Sequence, residues 1–100
     1  MEIIETPVFA AERDSFFSDE EYRKLQNQLI VWPNAGAVIP RSGGLRKLRW
    51  ATRGRGKRGG ARVIYYRMTE DRLYLLFAYH KGEQEDLTHD QIKRLRSLLD

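Results

Sequence analysis

RVIYYRMTEDRLYLLFAY, residues 62–79, is the stretch that decides the fold of this 100-residue chain. Its two halves, residues 62–68 and 73–79, are rich in β-branched and aromatic side chains, and the polar residues 69–72 lie between them. Two such runs joined by a short polar loop predict a β-hairpin. Because both runs are almost continuously apolar, we expect them to be central strands of a sheet that helices cover on at least one face.

The segment that leads into this hairpin, residues 41–67, is strongly basic. It contains ten Lys or Arg and no Asp or Glu, whereas the rest of the chain carries a net charge of −6. Six of the eight glycines lie between Gly43 and Gly60, so the backbone there can turn sharply and approach a ligand closely. This concentration of cations favours an anionic partner, and the phosphates of a nucleic acid suit both features. The alternative is a solvated basic loop, which is disfavoured because solvated surfaces usually mix both signs of charge.

Two capping patterns predict helices on either side of this region. Ser18 with Glu21, and Thr88 with Gln91, have the spacing of a capping box, and Pro33 ends the first of the two helices. The apolar stripes that these helices would bury are Tyr22, Leu25, Leu29 and Trp32 in the first and Ile92, Leu95, Leu98 and Leu99 in the second.

Shorter patterns complete the order of elements. Residues 2–9 predict a strand, residues 10–17 a helical turn, and residues 45–51 another strand whose Lys47 and Arg49 share a face open to solvent. The order is then strand, helices, three strands and a final helix. Because consecutive antiparallel strands usually lie side by side, we expect an α+β fold with a largely antiparallel four-stranded sheet, N-terminal helices and a C-terminal helix.

Length and composition exclude several classes of protein. The chain is long enough for a single domain over residues 1–100. The absence of cysteine excludes disulfides, thiolate metal sites and thiol nucleophiles, and two histidines make a metal site unexpected. No apolar run could span a membrane and no secretion signal is present, so we expect a cytoplasmic protein without a membrane partner. Gly54, Gly56 and Gly59 have the spacing of a dinucleotide-binding turn, but they precede a strand rather than a helix, so no cofactor is expected.

Cations interleaved with tyrosines predict a platform for single-stranded nucleic acid, in which cations bind phosphates and bases stack on aromatic rings. Its members would be Arg46, Lys47, Arg49, Lys57, Arg58 and Arg62 with Tyr65, Tyr66 and Tyr79. Since neighbouring strand residues face opposite sides of a sheet, at least one of Tyr65 and Tyr66 must belong to the core. The residues that we predict to contact RNA outside the reaction centre are Arg46, Lys47, Arg49, Arg53, Arg55 and His80.

Residues 43–66, GGLRKLRWATRGRGKRGGARVIYY, and residues 75–88, LLFAYHKGEQEDLT, closely resemble the RelE superfamily of bacterial toxins, specifically its HigB-like branch. The resemblance extends to residues 18–29 and 33–47, so it covers nearly the whole chain. It implies a RelE-like microbial RNase fold and a small endoribonuclease that enters the A site of the 70S ribosome, cuts mRNA there and arrests translation. The implied partner is a co-expressed antitoxin, a helix-turn-helix protein, and the implied location is the bacterial cytoplasm.

Catalytic residues carry over from the family by their position in its motifs. They are Arg62, Lys57, Arg58, Tyr79 and Lys81, and the tail of the pattern continues with Asp86 and Leu87. The family commonly has a small residue where this chain has His80, so no role carries over to that position. Histidine has an ordinary pKa near 6.5 that suits acid or base catalysis, but strand alternation places His80 on the opposite face from Tyr79.

The residues themselves suggest a metal-independent cleavage by the 2′-hydroxyl of the RNA. That reaction requires removal of the hydroxyl proton, stabilisation of charge on phosphorus and protonation of the leaving 5′-oxygen. Arg62 is the first candidate for clamping the phosphate, with Arg58 and Arg46 helping to neutralise its charge. The candidates for base and acid are Lys57, Lys81 and Tyr79, because neighbouring cations lower the pKa of a lysine and favour an ionised tyrosine.

Two matters stay open from the sequence. A basic RNA-binding or interaction module without catalysis is the alternative function, and only a nuclease would produce growth arrest with new mRNA ends when it is expressed. An antitoxin could also dock on apolar residues outside the basic segment, for which the sequence offers Val31, Trp32, Ile92 and Leu99.

Overall fold

A five-stranded mixed β-sheet forms the centre of the fold, as seen in a computed structural model that describes residues 1–51 and 60–99. The elements in chain order are β1 (Glu2–Glu5), α1 (Pro7–Phe16), α2 (Asp19–Val31), β2 (Ala37–Val38), β3 (Arg46–Trp50), β4 (Ala61–Thr69), β5 (Arg72–His80) and α3 (His89–Ser97). The strands lie in the order β1-β5-β4-β3-β2. β1 runs parallel to β5, and the other neighbouring strands are antiparallel.

The predicted hairpin is confirmed as β4 and β5, which are nine residues long and occupy the middle of the sheet. The α+β class and the largely antiparallel sheet are confirmed as well. The prediction of four strands is wrong, because Ala37 and Val38 form a fifth strand by pairing with Lys47 and Arg46 of β3. A strand of two residues, in a segment bounded by Gly36 and Pro40, carries no recognisable strand pattern, so its pairing with the edge of β3 is what defines it.

Both predicted capping boxes are present. The hydroxyl oxygens of Ser18 and Thr88 each accept a hydrogen bond from the backbone N–H three residues later, and the side chains of Glu21 and Gln91 accept one in return from the capping residue. Two orphan backbone donors are thereby satisfied at the start of each helix.

The first helix begins earlier than the sequence predicts. The strand expected for residues 2–9 ends at Glu5, because Thr6 caps a helix whose first residue is Pro7. Proline suits this position since its φ is already helical and it has no N–H to leave unsatisfied. α1 therefore replaces the end of the predicted strand and confirms most of the helical turn expected for residues 10–17.

α1 and α2 cover one face of the sheet, which we call the α1/α2 face. The buried side chains there are Phe9, Phe16, Phe17, Tyr22, Leu25 and Leu29 from the helical segment and Leu48, Ala61, Val63, Tyr65, Leu73, Leu75 and Ala78 from the strands. Complete burial of each large apolar side chain contributes about 1.5–3 kcal/mol, so this layer supplies most of the hydrophobic stabilisation.

α3 packs on the opposite face of the sheet, which we call the α3 face. Leu95 of the helix lies in a second buried cluster with Leu45, Ile64, Leu76 and Tyr79. This cluster is smaller than the first, and cations of β3 and β4 share the same face. The site described below lies on this side of the sheet.

A register shift inside the β4–β5 hairpin determines which side chains of β5 lie on each face. Ile64 pairs with Phe77, but the next residue of β4 pairs with Leu75, so that Leu76 is an extra residue in β5. An extra residue reverses the alternation of side chains beyond it. Leu75 consequently packs on the α1/α2 face, whereas Phe77 and Tyr79 lie on the α3 face.

Candidate RNA-binding and catalytic site

Three polar side chains form a row across the α3 face. Arg49 of β3 is the cross-strand partner of Arg62 in β4, and Arg62 is the partner of Tyr79 in β5. Leu48 and Val63, the neighbours of these arginines in sequence, pack on the α1/α2 face, so strand alternation directs both guanidinium groups to the other side. Directly paired strand residues lie about 5 Å apart, which brings two cations and a phenol together.

The members of the row differ in their burial. Arg49 is exposed, whereas Arg62 and Tyr79 each retain only 3% of their accessible surface. Nη1 of Arg62 donates a hydrogen bond of 3.3 Å to the carbonyl oxygen of Ala61. Burial of a cation is costly unless other groups stabilise it. Arg62, nearly buried in the middle of the sheet, is therefore a candidate site residue.

The hydroxyl of Tyr79 is buried and has no hydrogen-bond partner among residues 1–51 and 60–99. Burial raises the pKa of this hydroxyl, the carboxylate of Asp86 raises it further, and the guanidinium of Arg62 lowers it. The net effect is an upward shift, so Tyr79 is a protonated phenol at neutral pH. Its O–H can serve as a hydrogen-bond or proton donor to a substrate.

Lys47 and Asp86 form an ion pair on the same face, with 2.8 Å between Nζ of the lysine and Oδ1 of the aspartate. The hydrogen bond and the charge of Lys47 hold the pKa of the Asp86 carboxyl below its usual range. Asp86 is not among the site residues that the sequence predicts, since it lies 39 residues from Lys47 and only the tertiary structure joins them. Its one signal in the sequence is its place in the family's tail pattern.

Lys81 is exposed and directly follows β5. Its backbone N–H donates to the carbonyl oxygen of Gly60 at 3.3 Å, so it lies beside the residue that leads into β4. Lys81 is thus near the end of the strand pair that carries Arg62 and Tyr79, where its side chain can add positive charge to the site.

The chain also matches the model of a known protein family. Residues 37–99, which run from β2 through α3 and make up more than half of the chain, match the family model described as the RelE toxin of the RelE / RelB toxin-antitoxin system. The chain belongs to the RelE toxin family. As a RelE-family protein it is a toxin of a toxin–antitoxin system, with an antitoxin as its partner. The matched region contains the entire row of Arg49, Arg62 and Tyr79.

Arg46 and Tyr65, two residues of the predicted nucleic-acid platform, lie on the α1/α2 face of this RelE-family fold. Both form structural hydrogen bonds there. Nη1 of Arg46 donates to the carbonyl oxygen of Gly36 at 2.7 Å, which anchors the loop after α2. Tyr65 is completely buried, and its hydroxyl donates to the carbonyl oxygen of Pro33 at 2.8 Å. Neither side chain joins the row of Arg49, Arg62 and Tyr79.

His80 lies on the α1/α2 face, as strand alternation predicts. Its ring stacks on Phe16 at the end of α1, with 4.4 Å between the ring centroids. The side chain therefore points away from Tyr79 on the other face. The structure places it apart from the row, and a contact between His80 and RNA stays a prediction.

The remaining predicted residues of this RelE-family site, Arg53, Arg55, Lys57 and Arg58, lie outside the described residues. Their roles stay predictions. Within residues 1–51 and 60–99, no group of three or more His, Asp or Glu side chains could hold a metal ion. Over the same ranges, no helix has the length and apolar character needed to cross a bilayer.

Proposed function

We propose that this toxin is a ribosome-dependent endoribonuclease of the HigB-like branch, which cuts mRNA in the A site of the 70S ribosome and arrests translation. The observation that carries the proposal is the row of Arg49, Arg62 and Tyr79, in which two cations lie beside a protonated phenol. Membership of the RelE family and the resemblance of residues 43–66 support it.

Two members of the row suit two of the three requirements of cleavage by the 2′-hydroxyl, and the third holds the RNA in place. Arg62, buried and fixed by the central strand, stabilises the extra negative charge on the scissile phosphate. Arg49, exposed on the neighbouring strand, binds an adjacent phosphate. Tyr79, protonated at neutral pH, donates its proton to the leaving 5′-oxygen. No divalent metal is required for these steps.

Dependence on the ribosome follows from the weakness of the available bases. Lysine and tyrosine side chains are ordinarily protonated at pH 7, and the raised pKa of Tyr79 lowers its ionised fraction further. Correct alignment of the 2′-hydroxyl with the phosphate can contribute several orders of magnitude, so the small neutral fraction of Lys57 or Lys81 suffices to accept the hydroxyl proton. We propose that the ribosome supplies this alignment, so free mRNA is a poor substrate.

Access to the site also requires a conformational step. Arg62 and Tyr79 are each 3% exposed, so an RNA strand reaches them only after neighbouring groups move aside. Energy for that movement would come from contacts that mRNA and ribosome make with the exposed cations Arg49 and Lys81.

The proposed partners are mRNA, the ribosome and a helix-turn-helix antitoxin in the bacterial cytoplasm. Of the four residues that the sequence offers for antitoxin docking, Val31 and Trp32 are 64% and 67% exposed. Ile92 and Leu99 instead pack partly against the cluster on the α3 face. The end of α2 is therefore the better candidate for an apolar contact with the antitoxin.

Replacement of Arg62 tests the proposed nuclease activity and the role of this residue in it. Arg62→Ala should lower the rate of mRNA cleavage on translating ribosomes by about 100- to 1000-fold, because one preorganised charge donor is lost. Because Arg62 is buried, Arg62→Met should be measured beside it, since methionine removes the charge but keeps most of the volume. Primer extension on ribosome-bound mRNA gives the rate, and urea unfolding establishes that each variant is folded.

The control for this experiment is Arg72→Ala, which removes an exposed arginine at the opposite end of the same hairpin. It should cleave within a few-fold of the parent protein. Cleavage by folded Arg62→Met at the parental rate would contradict the assignment. Binding of mRNA without new ends, by the parent protein itself, would instead favour the non-catalytic module.

A further inference from the structure

A groove on the α3 face lies between the outer edge of the sheet and the start of α3. Its volume is about 350 Å³, which is at the lower end of the range for small-molecule sites. Ala37, Ile39 and Pro40 line it on the side of β2, and Leu87 and Ile92 line it on the side of the helix. Ile39, Leu87 and Ile92 also pack partly against the buried cluster of the α3 face, so the walls of the groove are anchored in the core.

The polar part of the groove is the ion pair of Lys47 and Asp86. Nζ of Lys47 and Oδ1 of Asp86 are 2.8 Å apart, and both residues line the groove. Solvent reaches the pair, because the Asp86 side chain retains 70% of its accessible surface and the Lys47 side chain retains 29%. A carboxylate has about four lone-pair sites and an ammonium group has several N–H bonds, so each partner can form further hydrogen bonds.

The loop that carries Asp86 is held in place by other hydrogen bonds. Nε2 of Gln84 donates to the carbonyl oxygen of Asp86 and to Oε1 of Gln91, each at 2.9 Å. Gln91 also closes the capping box of Thr88 at the start of α3. The carboxylate is therefore preorganised beside the groove, which lowers the entropic cost of binding a ligand there.

The groove adjoins the row of Arg49, Arg62 and Tyr79. Lys47 and Arg49 are two residues apart in β3 and lie on the same side of the sheet, because Leu48 between them packs on the α1/α2 face. A strand rises by about 3.3 Å per residue, so the two backbone positions are about 7 Å apart. An RNA strand whose phosphates contact the arginines of the row can therefore place a nucleobase in the groove.

The chemistry of the groove favours a nucleobase over a phosphate. Lys47 and Asp86 together carry no net charge, so the pair attracts an anion only weakly. Side by side they offer a hydrogen-bond donor and an acceptor, which is the complement of a base edge. Aliphatic side chains such as Ile39 and Ile92 can pack on the apolar face of an unstacked base.

We propose that this groove binds one nucleobase of the mRNA next to the scissile phosphate, and that Asp86 selects a base with an exocyclic amino group. The carboxylate accepts a hydrogen bond from the amino group, while Lys47 donates to an acceptor on the same edge. Uracil has no amino group and presents carbonyl oxygens on both sides of its N–H, so it should fit poorly. The inference rests on the proposed nuclease function and gives Lys47 a base contact in place of a phosphate contact.

The test uses short RNAs that the toxin cannot cut. Tetranucleotides with 2′-O-methyl groups lack the attacking hydroxyl, and fluorescence anisotropy of labelled oligonucleotides measures their affinity. The cytosine tetranucleotide should bind about tenfold more tightly than the uracil tetranucleotide, which has a carbonyl in place of the amino group. The adenine tetranucleotide should bind more tightly than one made of purine, which is adenine without its amino group.

Two variants probe the groove, and each has a matched control. Asp86→Asn should remove most of the preference for cytosine over uracil, whereas Glu85→Gln, which changes the exposed carboxylate next in sequence, should keep it. Ala37→Leu places a larger side chain in the groove and should also reduce the preference. Ala11→Leu makes the same change at an exposed position of α1 and should have no effect. Urea unfolding establishes that each variant is folded.

Equal affinity of the parent protein for the cytosine and uracil tetranucleotides would overturn the inference. So would a preference that survives in folded Asp86→Asn and Ala37→Leu. If these two variants keep the preference but bind the antitoxin more weakly, the groove takes a protein segment and the inference is again wrong.

The binding assay requires no cleavage, so it separates this inference from the proposed nuclease. If base preference depends on Asp86 but the parent protein cuts no mRNA, the nuclease fails while the selectivity of the groove stands. Sequencing of mRNA ends from translating ribosomes supplies the converse. If the parent and Asp86→Asn both cut with the same base preference, the nuclease stands and the role of Asp86 fails.

Discussion

Tyr65 and Tyr66 are adjacent in β4, yet their side chains serve the fold in different ways. Tyr65 is buried on the α1/α2 face, where its hydroxyl donates to the Pro33 carbonyl and accepts from the Gly36 N–H at 2.9 Å. Tyr66 lies half-buried on the α3 face, with the guanidinium of Arg96 5.3 Å from its ring centroid. Tyr65 thus contributes hydrogen bonds through its hydroxyl, whereas Tyr66 contributes a cation–π contact through its ring.

Tyr65→Phe should lower the free energy of unfolding by about 1–3 kcal/mol, because the buried N–H of Gly36 and the half-buried carbonyl of Pro33 lose their partner. Urea unfolding should show a lower midpoint with an unchanged slope. Tyr66→Phe, the matched control, keeps the ring under Arg96 and should stay within about 0.5 kcal/mol of the parent. Equal losses for the two variants would show that the Tyr65 hydrogen bonds contribute nothing specific.

At the scale of elements, α2 illustrates how a local signal supports the whole core. Oγ of Ser18 accepts from the Glu21 N–H at 3.1 Å, and Oε1 of Glu21 accepts from the Ser18 N–H at 2.8 Å. The helix that starts there places Leu25 and Leu29 completely inside the α1/α2 face. The cap therefore fixes the start of an element on which the main core depends.

Ser18→Ala should destabilise the protein by about 1 kcal/mol, since a helix cap is lost. Ser15→Ala is the control, because this exposed serine lies inside α1 and its hydroxyl donates to the Glu12 carbonyl of its own helix, at 2.7 Å. Its replacement should be neutral or slightly stabilising, as alanine is the better helix former. Thermal or urea unfolding followed by circular dichroism compares them, and an equal effect of the two changes would argue against the cap.

At the scale of the whole molecule, acidic and basic residues are concentrated in different segments of the chain. Seven of the 14 acidic residues lie before Tyr22, and the next acidic residue is Glu70. The first segment forms β1, α1 and the start of α2, whereas the acid-free part contains β3, all of β4 and the two cations of the row on the α3 face. Charge and fold together give the toxin a cationic side, which we propose binds RNA, and separate apolar residues at the end of α2.

The two kinds of ligand should respond differently to salt. RNA affinity should fall steeply with salt concentration, by a slope of about −0.7 for each phosphate contact with a single strand. Antitoxin affinity should fall less steeply, because apolar contacts such as those at Val31 and Trp32 do not release counterions. Titrations of both ligands across a range of KCl concentrations measure the slopes, and equal slopes would mean that the antitoxin binds the cationic side alone.

The sequence by itself determined the features that depend on neighbouring residues. The hairpin follows from two apolar runs around a short polar loop, and the starts of α2 and α3 follow from capping residues three positions from their partners. The sequence also singled out Arg62 as a candidate site residue, because it lies where the basic segment meets a predicted strand. These interactions act over a few residues, so their pattern can be read directly.

Only the tertiary structure decided which side chains meet. If β5 alternated without interruption, Leu75, Phe77 and Tyr79 would share the α1/α2 face, but the extra residue Leu76 transfers the last two to the face of Arg62. The pairing of Asp86 with Lys47 and the short strand β2 likewise depend on segments distant in sequence. The physical reason is that strand parity and long-range ion pairs are set by how whole elements pack, and no local preference of the chain records that packing.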